Sequence, residues 1–172
     1  MFKIMLAITV FSIFSYIGFV YGEKFRKRVL DLKECYKGIT LLQNQVIYNN
    51  TPLPEAFLEV EKNLKKPYSE ILLKSSFDLT NCNKDNIIDA FKDASSHYMD
   101  NIHLKEEDLK VLIDFLSSLG DTGIYCQDKI FNIALENMKN NLKEAEESSS
   151  TNTKLYRYLG ICFGAMVGIL II

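Results

Sequence analysis

The charge of this chain is missing from its two ends. Between Lys3 and Glu23 the run IMLAITVFSIFSYIGFVYG carries no charge, and its length of about 19 residues meets the roughly 20 that a helix needs to cross a bilayer. A second uncharged run, Tyr158 to Ile172, closes the chain. Its about 15 residues reach roughly 22 Å at helical rise, against a hydrocarbon core of about 30 Å. Charged and amphipathic sequence fills the space between. This distribution predicts a transmembrane helix over 1–22, a helical body over 23–154 and a second transmembrane helix over 155–172.

Cations flank both runs on the side of the body: Lys24, Arg26, Lys27 and Arg28 after the first, Lys154 and Arg157 before the second. Positive charge is retained on the cytoplasmic side of a membrane, so the body is expected in the cytoplasm with both termini outside. A cleaved signal peptide ending near Val20-Tyr21-Gly22 is the competing reading, and the cations directly after it argue against it. Arg157 can snorkel, Tyr156 and Tyr158 suit the headgroup level, and the cluster Lys24 to Arg28 can hold anionic headgroups at roughly 1 kcal/mol per charge. Gly18 and Gly22, and likewise Gly160, Gly164 and Gly168, recur every four residues, which puts each set on one helix face. Helices in lipid associate by close packing, which such faces permit. The two segments are therefore expected to pack as an antiparallel pair.

Within the body, Phe25, Val29, Leu32, Tyr36, Ile39 and Val46 follow a 3-4 spacing, with Gln43 the one polar member, and predict an amphipathic helix continuous with the first run. It stops at YNNTPLPEAF. Asn49 and Asn50 suit a helix end, Thr51 an N-cap, Pro52 the first helical position and Glu55 the first turn. Leu53, Ala56, Phe57, Val60 and Leu64 predict a second helix. Ser69 is expected to cap a third with Ile71, Leu72 and Phe77 inward, and Asp85 to open a fourth through Ile87, Ile88, Phe91 and Tyr98. Leu109, Leu112, Ile113, Leu116 and Leu119 mark a fifth, closed by Gly120 at the C′ position. The sixth carries Tyr125, Ile130, Ile133, Ala134, Met138 and Leu142, and EESSSTNTK after it is either a frayed hinge or part of one long helix. Nothing alternates with period two. The expected fold is all-α, an antiparallel bundle of about six helices flanked by the two membrane helices.

The net charge of −2 argues against a nucleic-acid partner, which calls for a basic face. Cys35, Cys82, Cys126 and Cys162 show no CxxC spacing, so reduced thiols are expected. Phosphate-loop, zinc-protease, nucleophile-elbow and dinucleotide signatures are all missing. His97 and His103 read as exposed and inert, the turn LGDTG lacks the strand and lysine of a phosphate loop, and Glu106, Glu107 and Asp108 complement a helix dipole. No cofactor, metal or catalytic residue is expected.

VIYNNTPLPEAF after a long amphipathic helix, then FLSSLGDTGIYCQDKI, then KLYRYLGICFGAMVGILII at the end together resemble the stage III sporulation protein AB family of endospore-forming bacteria. The most specific parts are the helix corner, Tyr48, Thr51, Pro52, Leu53, Glu55 and Ala56, and the interhelical turn, Leu119, Gly120 and Gln127, followed by Leu159-Gly160. Gln45 departs from the pattern, where an acidic residue is usual, so no charge-based role carries over to it. The resemblance implies a non-catalytic component of the mother-cell membrane apparatus that joins mother cell and forespore. It also implies a body similar to the type II secretion F platform domain. The implied partners are the stage III sporulation AA ATPase, other proteins of the same operon and membrane lipids, with self-association a further option. From the residues alone, a membrane sensor reading a ligand or partner through the bundle, or a membrane enzyme without recognised motifs, are the competing functions.

Overall fold

With no proline before Pro52, nothing interrupts helix propagation from the apolar run into the amphipathic stretch. One helix, α1, spans Phe2–Gln43 and passes into a π-helical turn at Asn44–Tyr48. There follow α2 (Leu53–Glu61), α3 (Tyr68–Thr80), α4 (Ile87–Ser96), a 3-10 turn at Met99–Asn101, α5 (Glu106–Asp121) and α6 (Ile124–Ile171). This computed structural model describes the backbone of residues 2–81, 86–121 and 124–171, without the side chains of 2–4, 6, 7, 120, 121, 124–126, 170 and 171. Among the described residues the fold is all-helical, as expected. EESSSTNTK belongs to α6 and is no hinge. Its weak helix formers are tolerated where hydroxyls bond back along the helix, as Ser150 Oγ does to Glu147 O at 2.9 Å.

The chain divides into two compact units, Met1–Val29 with Lys143–Ile172, and Leu30–Leu142. The second is the bundle. Its core takes Leu32, Ile39 and Leu42 from α1, Phe57 and Val60 from α2, Ile71 from α3, Phe115 and Leu116 from α5, and Phe131 and Met138 from α6. Phe115 and Phe131 meet edge to face with centroids 5.0 Å apart, a favoured aromatic geometry. Gln43, the one polar member of its stripe, donates from Nε2 to Asp128 Oδ1 and Asn132 Oδ1, each at 3.2 Å, which joins α1 to α6.

Several expected boundaries and faces are corrected. Pro52, not Thr51, is the N-cap residue of α2, and no side chain caps that helix. Ser69 lies inside α3, which begins after Pro67. Asn86 caps α4, its side chain accepting from Ile88 N at 3.1 Å, while Asp85 lies outside the described residues. Gly120 falls within α5 instead of after it. Phe77 is 65% exposed instead of inward. The inner face of α3 is completed by Ser75 and Ser76, whose hydroxyls donate to Ile71 O at 2.8 Å and to Pro54 O at 2.7 Å. With those donors satisfied, small serines let α2 and α3 approach, and the bulky Phe77 is turned out.

Among the described residues no helix is long and apolar enough to cross a membrane. The spanning helices expected over 1–22 and 155–172, and the topology built on them, are therefore not supported.

Candidate docking groove

The π turn makes the corner. Each residue of a π turn widens the helix, so the chain leaves α1 one residue later than a regular end would allow. Asn49 N donates to Asn44 O at 3.1 Å and Thr51 N to Gln45 O at 2.9 Å, a wide version of the bonds that commonly end a helix. Asn50 sits between them at φ 53°, the left-handed region that asparagine tolerates better than most residues. The side-chain oxygen of Gln45 accepts from Asn49 Nδ2 at 2.9 Å and from Thr51 Oγ1 at 3.3 Å. Thr51 therefore braces the corner instead of capping α2.

The result is an open groove of about 330 Å³ lined by Val46, Asn50, Thr51, Pro52, Leu53, Ile87, Leu119 and Gln127. Thr51, Pro52 and Leu53 of the corner thus meet Leu119 and Gln127, which α5 and α6 bring from far along the chain. The remaining corner residues lie elsewhere: Tyr48 is 71% exposed, Ala56 is fully buried and Glu55 is exposed. Gly120 follows Leu119 in the α5 backbone. Asn50, Val46 and Ile87 were not expected at a site. A positive-φ asparagine and a π turn have no local sequence signature that could have found them.

In the other unit the glycines are at the contact. A Cβ placed on Gly18 would lie 2.6 Å from Tyr156 O and 2.9 Å from Gly160 Cα, and one on Gly164 would lie 3.2 Å from Phe11 O. A Cβ on Gly22 would lie 3.1 Å from Thr153 O, and Gly168 is buried. Residue numbers fall on α1 as they rise on α6, so these stretches run antiparallel. The cations Lys24, Arg26 and Lys27 are exposed, Arg28 is buried with Glu144 Oε1 at 3.6 Å, and Arg157 lies 3.8 Å from Glu23.

The profile of the family described as "Stage III sporulation protein AB (spore_III_AB)" matches residues 3–172. The chain belongs to the stage III sporulation protein AB family. It is 23% identical over 171 residues to stage III sporulation protein AB of Bacillus subtilis (strain 168), covering 99% of both chains. A solved structure titled stage III sporulation protein AB shares the fold, with a TM-score of 0.64 and 23% identity over 72% of this chain and 97% of that one.

This member of the stage III sporulation protein AB family also holds a half-buried polar cluster. His103 N donates to Asp31 Oδ2 at 2.7 Å across 72 residues, with His103 Nδ1 3.5 Å from the same oxygen, so His103 is not the inert surface residue expected; His97 is exposed. Tyr68 and Cys35 lie beside Asp31. Burial pushes the Cys35 thiol and the Tyr68 hydroxyl far up, which leaves Cys35 without thiolate character. Cys35 and Cys162 are free thiols, and Cys82 and Cys126 lie outside the described side chains. Among the described residues no group of three or more His, Cys, Asp or Glu could hold a metal ion.

Burial also raises the Asp31 carboxyl from its ordinary value, against the hydrogen bonds from His103 that pull it down. The folded state then holds a proton that the unfolded chain has released, so this group's contribution to stability is greatest at acid pH and is lost as pH rises through the raised value. Asp31→Asn, which keeps an oxygen acceptor for His103 N, is expected to flatten that part of the pH-stability curve. Denaturant unfolding of both proteins from the ordinary aspartate value upward in pH measures it, and parallel curves would refute the assignment.

Proposed function

We propose that this chain is a non-catalytic docking platform of the sporulation apparatus, with the corner groove as its contact surface. One observation carries the reading: family-signature residues from separate segments, Thr51, Pro52 and Leu53 with Leu119 and Gln127, line one groove whose described lining is apolar and uncharged polar. Such a groove offers shape, apolar area and amide hydrogen bonds, the ingredients of recognition. Among the described residues its lining includes no acid, base or activated nucleophile. The partners that the family likeness suggests for it are the stage III sporulation AA ATPase and other proteins of the same operon.

The sensor alternative requires a ligand chamber. The apolar cavity near Cys35, Phe57 and Leu72 measures about 50 Å³, far below the 300–1,000 Å³ typical of small-molecule sites. That cavity is too small to be a ligand chamber.

We infer further that the unit built from the chain ends is lipid-facing and attaches the protein to the mother-cell membrane. Its packing is inverted with respect to a water-soluble pair: glycines lie inside, while Tyr158 at 68% and Ile169 at 76% exposure, with Ile13, Phe19, Ile161 and Phe163, lie outside. An apolar surface of this extent marks a membrane or partner contact. The hydroxyls of Thr9 and Ser12 donate to Met5 O and Ile8 O at 2.9 Å, so neither brings an unmet donor to lipid.

Leu53→Glu combined with Ile87→Asp places two charges in the groove while leaving the helix framework intact. Affinity capture from sporulating cells is expected to recover the ATPase and operon partners with the parent protein and at least about tenfold less with the variant. Equal recovery with unchanged circular dichroism would remove the groove from the interface.

A further inference from the structure

The lipid-facing unit gathers cations from both helices at one level. Thr153 Oγ1 donates to Gly22 O at 3.1 Å, and Arg157 Nη2 approaches Glu23 Oε2 at 3.8 Å, which sets 153–157 beside 22–23. Lys24, Arg26 and Lys27 of α1 therefore form one collar with Lys154 and Arg157 of α6. Five cations against one carboxylate, Glu23, give a net +4 in a chain whose sum is −2. Arg28 stands apart, buried and paired with Glu144.

The single carboxylate is already engaged. Glu23 Oε1 accepts from Arg26 and Oε2 lies near Arg157, while the exposed Lys24, Lys27 and Lys154 have no carboxylate partner among the described residues. Arg157 Nε is buried and has no hydrogen-bond partner among the described residues. Aromatic rings share the level: Tyr156 stacks with Tyr21 and Phe25 at centroid separations of 6.1 and 5.7 Å. Lys24 Nζ lies 4.9 Å from the Tyr21 ring centroid, and Arg157 Cζ lies 4.6 Å from that of Phe19. Beyond the collar, toward the chain ends, the outer surface is the apolar one already described.

We propose that this collar binds the headgroups of anionic phospholipids, its lysines and Arg157 meeting the phosphates while the adjoining rings and apolar face meet the acyl chains. The assignment rests on the lipid-facing reading of the same unit. Anionic lipid is the partner whose own chemistry repeats this order, a layer of negative charge directly bordering hydrocarbon. A nucleic acid would satisfy the cations and leave the apolar face in water.

The test is cell-free synthesis of the full chain in the presence of vesicles, followed by flotation. One vesicle set is phosphatidylcholine, the other phosphatidylcholine mixed with phosphatidylglycerol. Both are expected to capture the protein, the anionic set at least about tenfold better, with the preference shrinking as salt is raised. The triple variant K24Q/K27Q/K154Q is expected to retain capture by phosphatidylcholine and to lose most of the anionic preference. E23Q, which removes the one carboxylate, is expected to raise it. Equal capture of the parent protein by both sets would overturn the collar and leave the lipid-facing reading standing, whereas capture by neither would overturn both. An anionic preference undiminished in the triple variant would place the attraction elsewhere and also overturn the proposal.

Discussion

Leucine in place of Gly18 is expected to drive the two helices of the terminal unit apart. The first added carbon would already lie 2.6 Å from Tyr156 O and 2.9 Å from Gly160 Cα, closer than nonbonded atoms approach, and both are backbone atoms that no rotamer change can move. Overpacking a tight contact costs about 1–3 kcal/mol, and a contact made of backbone lies at the upper end of that range. Cysteines at Tyr21 and Tyr156, whose rings stack 6.1 Å apart, report the pairing in a background without native cysteines. The crosslinking yield is expected to fall on the order of a hundredfold with Gly18→Leu, and undiminished yield would mean that the glycines do not set the helix separation. Gly38→Ala supplies the contrast. Its added carbon meets only the mobile tip of Leu64, at 3.3 Å from Cδ1, so the variant is expected to be neutral or slightly stabilising, as alanine replaces glycine inside a helix.

Asp108→Ala is expected to destabilise the bundle by roughly 3 kcal/mol. Its side chain is fully buried. Oδ2 accepts from Lys105 N at 2.9 Å, closing the start of α5, and Oδ1 accepts from Asn141 Nδ2 at 3.0 Å on α6. Alanine leaves both donors without that acceptor and removes the tie that holds α5 in register with α6. For a bundle of this size, thermal unfolding of the full chain followed by circular dichroism should show a Tm lower by on the order of 10 °C. Asp108→Asn, which keeps an oxygen acceptor, should recover part of it. A variant that melts with the parent would show that this buried carboxylate contributes nothing net.

The sequence pattern made the helices legible because their apolar spacing is local information. It placed Ala56, Phe57, Val60, Leu112 and Leu116 inward, and all are buried. It failed where a face depends on a neighbouring helix: Phe77 fits the period of α3, yet Ser75 and Ser76 win the inner position because their small size and satisfied hydroxyls suit the contact with Pro54. Capping at the corner was misread for a related reason. Thr51 has the chemistry of an N-cap, but the π turn before it supplies a competing partner in Gln45, and a π turn has no compositional mark. The pairing of His103 with Asp31 and that of Asn141 with Asp108 bridge 72 and 33 residues, separations that periodicity does not encode. Motif likeness pointed to the groove residues separately. Only the fold shows that Thr51 to Leu53 and Leu119 with Gln127 share one cavity.

Gln45 gives the corner a neutral brace. Its oxygen receives Asn49 and Thr51 together, a task a carboxylate could perform only while ionised; once protonated, it would weaken as a double acceptor. An amide has no such transition in the range where proteins stay folded. The shape of the groove mouth in this chain is thereby insulated from acidification of the surrounding compartment, even as the half-buried Asp31 of the same bundle remains responsive to it.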